Sequence, residues 1–132
     1  MGYVNLNNEP QTIMDGNDSI VIVDNFQSIR GGRSLDVTGF APTVIKAGHV
    51  IIKETASGEY KPMPVNSGAT AYAALPADHE YAGILIASIL TAKPFAGIMV
   101  RGTVNPAAAP FPMGSILDDV KEALPLIDFR ED

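Results

Sequence analysis

The stretch Tyr81-Ala-Gly-Ile-Leu-Ile-Ala-Ser-Ile-Leu90, continued after Thr91-Ala-Lys-Pro94 by Phe95-Ala-Gly-Ile-Met-Val-Arg-Gly-Thr-Val104, decides the fold class. It is the most apolar part of the chain. Its isoleucines and valines are stiff at χ1 and suit a pleated strand better than a helix. A helix over 82–90 is the alternative, but no N-cap residue precedes it. The two runs, joined by a short Lys-Pro linker, are expected to be adjacent antiparallel core strands. Even counted through Ser88, the run 82–90 is far short of the roughly 18 residues of a membrane-spanning helix.

Upstream, Val50 to Glu54 and Glu59 to Met63 read as the two arms of a hairpin around Thr55-Ala-Ser-Gly58. Pro62 and Pro64 place the returning arm at a sheet edge, because proline cannot donate to a ladder. Ile20-Val-Ile-Val23 reads as a strand ended by the turn signal Asp24-Asn25. Ser34-Leu-Asp-Val-Thr38 alternates as a half-buried strand would. Residues 66–80 read as a loop. Downstream, Asn105-Pro-Ala-Ala-Ala-Pro110 reads as a break, with Pro near both ends. A helix is expected at about 115–124. Ser115 is its N-cap, Asp118 and Asp119 lie in its dipole-favoured first turn, and Pro125 stops it. Leu126 to Phe129 is either a last strand or a packed tail. Residues 1–18, with Asn5, Asn7, Asn8 and Asn17 and little periodicity, read as an N-terminal arm. The expected architecture is mainly β: a small β-barrel or β-sandwich-like domain over 19–132 with one short C-terminal α-helix.

Composition narrows the function. One domain accounts for 132 residues. Twelve glycines and ten prolines fit short strands joined by tight turns. The absence of cysteine excludes disulfides, thiolate metal sites and cysteine nucleophiles. A net charge of -6 argues against direct nucleic-acid binding, which needs Lys and Arg to displace counterions. The polar, amide-rich start lacks a signal-peptide pattern, so the chain is expected to be soluble, without membrane attachment.

No residue set announces catalysis. His49 and His79 stand thirty positions apart, without metal-ligand spacing. Asp78-His-Glu80 reads as a solvated loop. Gly31-Gly32 between Arg30 and Arg33 reads as a basic turn, or as an anion nest without the helix and lysine of a phosphate loop. Arg101 interrupts an apolar run and needs a solvent face or an ion-pair partner. The nine aromatics are scattered, with no stacking stripe for bases. The expectation is a non-enzymatic chain without cofactor or metal.

Four segments in order carry a resemblance: Val44-Ile-Lys-Ala-Gly-His-Val-Ile-Ile-Lys53, Ser57-Gly-Glu-Tyr-Lys-Pro-Met63, Tyr81-Ala-Gly-Ile-Leu-Ile-Ala87 and Ile98-Met-Val-Arg-Gly-Thr-Val-Asn-Pro-Ala-Ala108. Together with the helix that follows, and over about residues 44–124, the chain resembles the capsid decoration and head-fibre proteins of tailed phages, as in phages and prophages of Bacteroidales. The resemblance implies a structural protein made in the bacterial cytoplasm. It would bind the major capsid protein on the outside of the assembled head, often as a homotrimer, with an N-terminal arm meeting the capsid. A head-fibre anchor is the alternative. Candidate contact residues for capsid or subunit are Tyr3, Val4 and Leu6 in the arm, and Phe95, Met99, Arg101, Phe111 and Met113. These types are enriched or tolerated at interface cores, and each is equally an ordinary strand or core residue. Val44 to Lys53 also resembles the hammerhead strands of lipoyl carrier domains, but the hairpin tip holds no lysine to modify.

Overall fold

The computed structural model describes residues 16–131. The chain is mainly β. Its central sheet holds β1 (Ile22–Ser28), β9 (Ile98–Val104), β6 (His79–Leu85), β4 (Val50–Glu54) and β5 (Tyr60–Pro62), in that spatial order. All neighbours are antiparallel except β10 (Ile127–Phe129), which pairs parallel with the far end of β9. Two small ribbons complete the β structure. One joins β2 (Arg33–Ser34) to β8 (Phe95–Ala96), and the other joins β3 (Val44–Ile45) to β7 (Ile89–Leu90). Two α-helices, α1 (Asp18–Val21) and α2 (Leu117–Ala123), and a 3-10 turn at Pro106–Ala108 complete the chain.

The sheet carries apolar side chains on both faces, as strand alternation dictates. Val50 and Ile52 of β4, Ile84 of β6, and Met99 and Val104 of β9 pack on one side under Val120, Ile116, Leu124 and Phe129. The interleaved Ile51, Leu85 and Ile98 pack on the other, under Leu35, Ile45 and Ala96. This explains the near-continuous apolar reading of these strands. It gives a layered, sandwich-like arrangement.

The hairpin of β4 and β5 stands where it was expected, with Ile51 opposite Pro62 and Lys53 opposite Tyr60. β5 is an edge strand, and the edge is closed. Pro62 has no N–H, and the Tyr60 carbonyl accepts the Asp36 N–H at 2.9 Å. The expected core pair is also present: β6 lies antiparallel to β9, with Ile84 opposite Met99 and Leu85 opposite Ile98. Gly83 is required there, since a Cβ would stand 2.5 Å from the Met99 carbonyl oxygen.

Several expectations are corrected. The run 81–90 is not one strand. It begins earlier, at His79, ends at Leu85 and resumes only at Ile89; within the break the Ser88 hydroxyl accepts the Ala47 N–H at 3.1 Å and donates to Asp18 at 2.7 Å. The chain then turns to pair with β3 instead of β4. Residues 20–23 do not form one strand either. The Asn17 carbonyl accepts the N–H groups of Ile20 and Val21, making the short α1, and the strand runs on through the expected turn to Ser28 because β9 supplies its ladder. Of the expected strand 34–38 only Ser34 is in a ladder, in a two-residue ribbon strand with Arg33. Beyond them Asp36 accepts the Thr38 N–H and hydroxyl and curls the chain. Ser115 does not cap α2, which starts at Leu117 with no side-chain cap. The break at 105–110 holds a 3-10 turn, in which the Asn105 side chain accepts the Ala107 N–H. Of the expected last strand or tail at Leu126 to Phe129, Ile127–Phe129 forms a strand, β10. Of the residues read as an arm, 1–15 lie outside the described residues. Asp18 is tied to the domain by two hydrogen bonds from Ser88.

Candidate docking surface and the buried histidine

The most exposed large apolar side chain among the described residues is Phe95, at 70%. Its backbone is not loose. β8 pairs with β2, Arg33 opposite Ala96 and Ser34 opposite Phe95, and the Leu35 N–H donates to the Pro94 carbonyl at 2.8 Å. Gly31 and Gly32 lead into the ribbon with φ of 77° and 69°. Gly32 must be glycine, because a Cβ would meet the Ala96 carbonyl oxygen at 2.7 Å. Gly31 to Ser34 and Phe95 to Gly97 line an open depression of about 470 Å³.

Cations gather beside it. The Arg33 guanidinium donates to the carbonyls of Gly32 and Arg30, at 2.6 and 3.1 Å, and lies 5.7 Å from the Tyr60 ring centre. The Lys53 ammonium lies 5.8 Å from the same ring. Arg30 and Lys93 are exposed on the adjoining turns. Lys53 alternates with Ile52, so it shares a face with Ile51 and the second apolar cluster. The acidic helix α2, with Asp118, Asp119 and Glu122, packs on the opposite face through Val120 and its C-cap Leu124. The -6 charge is thus unevenly spread, with a basic aromatic ribbon on one face and an acidic helix on the other.

The other candidate contact residues are dispersed. Arg101 is exposed on β9 opposite Gln27 and belongs to no ion pair among the described residues. Met99 and Met113 are in the core, with no surface for a partner in this fold, because both pack in the cluster under α2. Phe111 is half-buried against His49 and Tyr72. Tyr3, Val4 and Leu6 lie outside the described residues. Sequence reading overlooked Phe26, which is 65% exposed on β1, because Asp24-Asn25 was taken to end that strand.

His49, which the sequence singles out only for lacking metal-ligand spacing, is fully buried. Gly48 precedes it at φ 89°, and a Cβ there would lie 2.2 Å from Val21 Cγ1. The turn drives the imidazole inward among three rings, each roughly edge-on: Tyr72 at 5.1 Å, Phe40 at 5.5 Å and Phe111 at 5.6 Å. Nε2 lies 2.9 Å from the Met63 carbonyl oxygen, so it carries the proton and donates; among the described residues Nδ1 has no partner. Burial pushes the His49 pKa down to about 4, against the small opposing effect of that hydrogen bond. Tyr72, whose hydroxyl oxygen accepts the Val50 N–H at 3.1 Å, is pushed well above the usual phenol range by burial. His49 thus ties together the loops bearing Phe40, Tyr72 and Phe111.

Among the described residues no three His, Cys, Asp or Glu side chains converge on a metal-sized site. Asp78, His79 and Glu80 are spread along the entry to β6, where His79 Nδ1 bonds the Ala77 carbonyl at 2.7 Å. No described helix is long and apolar enough to cross a membrane. Comparison with protein-family models, curated proteins and solved structures finds no match to the chain.

Proposed function

We propose that this chain is a structural, non-enzymatic decoration protein of a tailed-phage head, docking on the outer surface of the assembled capsid. The observation that carries the reading is Phe95, 70% exposed on a ribbon pinned at Gly32, where it lines one open depression with Arg33. A rigid aromatic beside an arginine is the composition of an interface anchor, and pre-organisation spares the ordering cost of binding. The order of segments that resembles decoration proteins runs through β3 to β9, so it includes the hairpin and the two central strands. The major capsid protein is the partner. The assembled form that goes with this reading is a homotrimer, and the arm residues Tyr3, Val4 and Leu6 add a second contact.

The test is co-sedimentation with purified capsids of the same phage that lack the protein. Wild type is expected to bind to saturation. Phe95→Ser is expected to bind about 30-fold more weakly, the loss of one hot-spot residue. Deletion of residues 1–15 leaves the Asp18–Ser88 hydrogen bonds in place and is expected to weaken binding without altering the melt. Wild type that stays in the supernatant at micromolar concentration sinks the reading.

A further inference from the structure

The two edges of the central sheet are unlike. The β5 edge is closed by Pro62 and by the Asp36 N–H on the Tyr60 carbonyl. On the other side, β1 pairs with β9 alone, and among the described residues nothing pairs with its outer edge. Val23 to Ser28 are all exposed, including Val23 and, at 65%, Phe26. The strand Ile-Val-Asp-Asn-Phe-Gln-Ser contains no lysine, arginine or proline. Its edge protection is limited to Asp24 and the register shifts against β9. An open strand of seven residues, three of them apolar, is a template for another strand.

We infer that β1 pairs antiparallel with β1 of a second copy of this chain, across a two-fold axis at Asn25. The closed β5 edge forbids a head-to-tail continuation from β1 of one copy to β5 of the next, so the sheet cannot extend into a ring or filament by its edges. Isologous pairing remains, and it is the arrangement a two-fold requires. Centring on Asn25 gives full overlap, with Ile22 opposite Ser28, Val23 opposite Gln27 and Asp24 opposite Phe26. The two Asp24 carboxylates, the only charges on the strand, do not face each other. The two Phe26 rings come to diagonal positions, within reach of aromatic contact. Centring on Asp24 instead would set like charges directly opposite, which is destabilising. A three-fold axis cannot bring two β1 edges together in this way. A homotrimer built through another surface would therefore become a six-membered, even-numbered assembly.

Sedimentation equilibrium of the full chain, from micromolar to sub-millimolar concentration, tests the pairing. An even-numbered species is expected for wild type. Phe26→Asp sets a carboxylate opposite the second copy's Asp24 and is expected to weaken the even-numbered step about 30-fold or more. Phe26→Lys, which gives Asp24 an opposite charge, is expected to weaken it much less. Phe26 is exposed, so both variants should melt as wild type does. A wild type that is monomeric or purely trimeric overturns the inference, as does an even-numbered species indifferent to both variants. Equal impairment by both overturns this register. Dimerisation that appears only after residues 2–15 are deleted overturns it too, since the chain's own N-terminal segment would then be the natural occupant. None of these outcomes depends on capsid binding.

Discussion

The His49 hub and the Arg33–Phe95 ribbon start from similar local chemistry and end in opposite places. In each, a glycine at positive φ, too close to its neighbours for a Cβ, precedes a nitrogen-bearing side chain set against aromatic rings. Gly48 turns His49 into the core, and Gly32 leaves Arg33 at the surface. The difference lies in what each side chain can give up. An imidazole sheds its charge when buried, and the depressed pKa of His49 expresses that. A guanidinium keeps its charge, so Arg33 stays in solvent, donating to backbone carbonyls and lying over the Tyr60 ring. Aromatics around the histidine hold three loops together. Phe95, beside the arginine, is left free for a partner.

The comparison breaks most readily at Gly48. Gly48→Ala forces a Cβ onto Val21 Cγ1 at an unfavourable φ, and is expected to cost about 3 kcal/mol or more by chemical denaturation. A cost below about 1 kcal/mol would show that α1 yields easily and that the hub is not pinned there.

Acid sharpens the same contrast. The folded chain holds His49 neutral down to about pH 4, whereas an unfolded histidine takes a proton near 6.5. Between those values the unfolded state binds the extra proton. The stability from neutral burial is full above about pH 6.5 and is lost as the pH falls toward 4, by on the order of 3 kcal/mol. Urea midpoints at pH 7 and 4.5 measure it. His49→Leu should flatten the difference, and an unchanged slope in that variant would assign it to other groups. Asp36, held below its usual range by the Thr38 hydroxyl and amide, contributes to acid loss only lower in pH.

A smaller effect is expected at Tyr72. Tyr72→Phe leaves the buried Val50 N–H without its acceptor and should cost about 1–2 kcal/mol, read as a lower melting temperature. The least effect on stability belongs to the ribbon. Phe95→Ser should change stability by less than about 0.5 kcal/mol, since the side chain is solvated, while the proposed docking predicts about 30-fold weaker capsid binding. If it lowered the melt as far as Tyr72→Phe does, Phe95 would be a packing residue and the docking reading would lose its anchor.

Much of this architecture was legible in residue order. The β-branched runs before and after Pro94, the Ser-Gly hairpin and the prolines at its edge are local signals, and local steric preference is enough to read them. So is the helix that carries Val120, although its first turn lies two residues beyond the serine that seemed to cap it. The -6 charge bears on partners, because it needs no geometry. What remained belongs to contacts between distant residues. Ser88, in the break between β6 and β7, is held by Asp18, seventy positions away, which accepts from its amide and its hydroxyl. Phe26 stays exposed because its strand is the open edge, and Met99 is buried because its strand is central. His49 is a core residue only because three loops converge on it. A side chain's type limits what it can do when buried or exposed. Which of the two it becomes depends on the neighbours that folding supplies, and those lie far away along the chain.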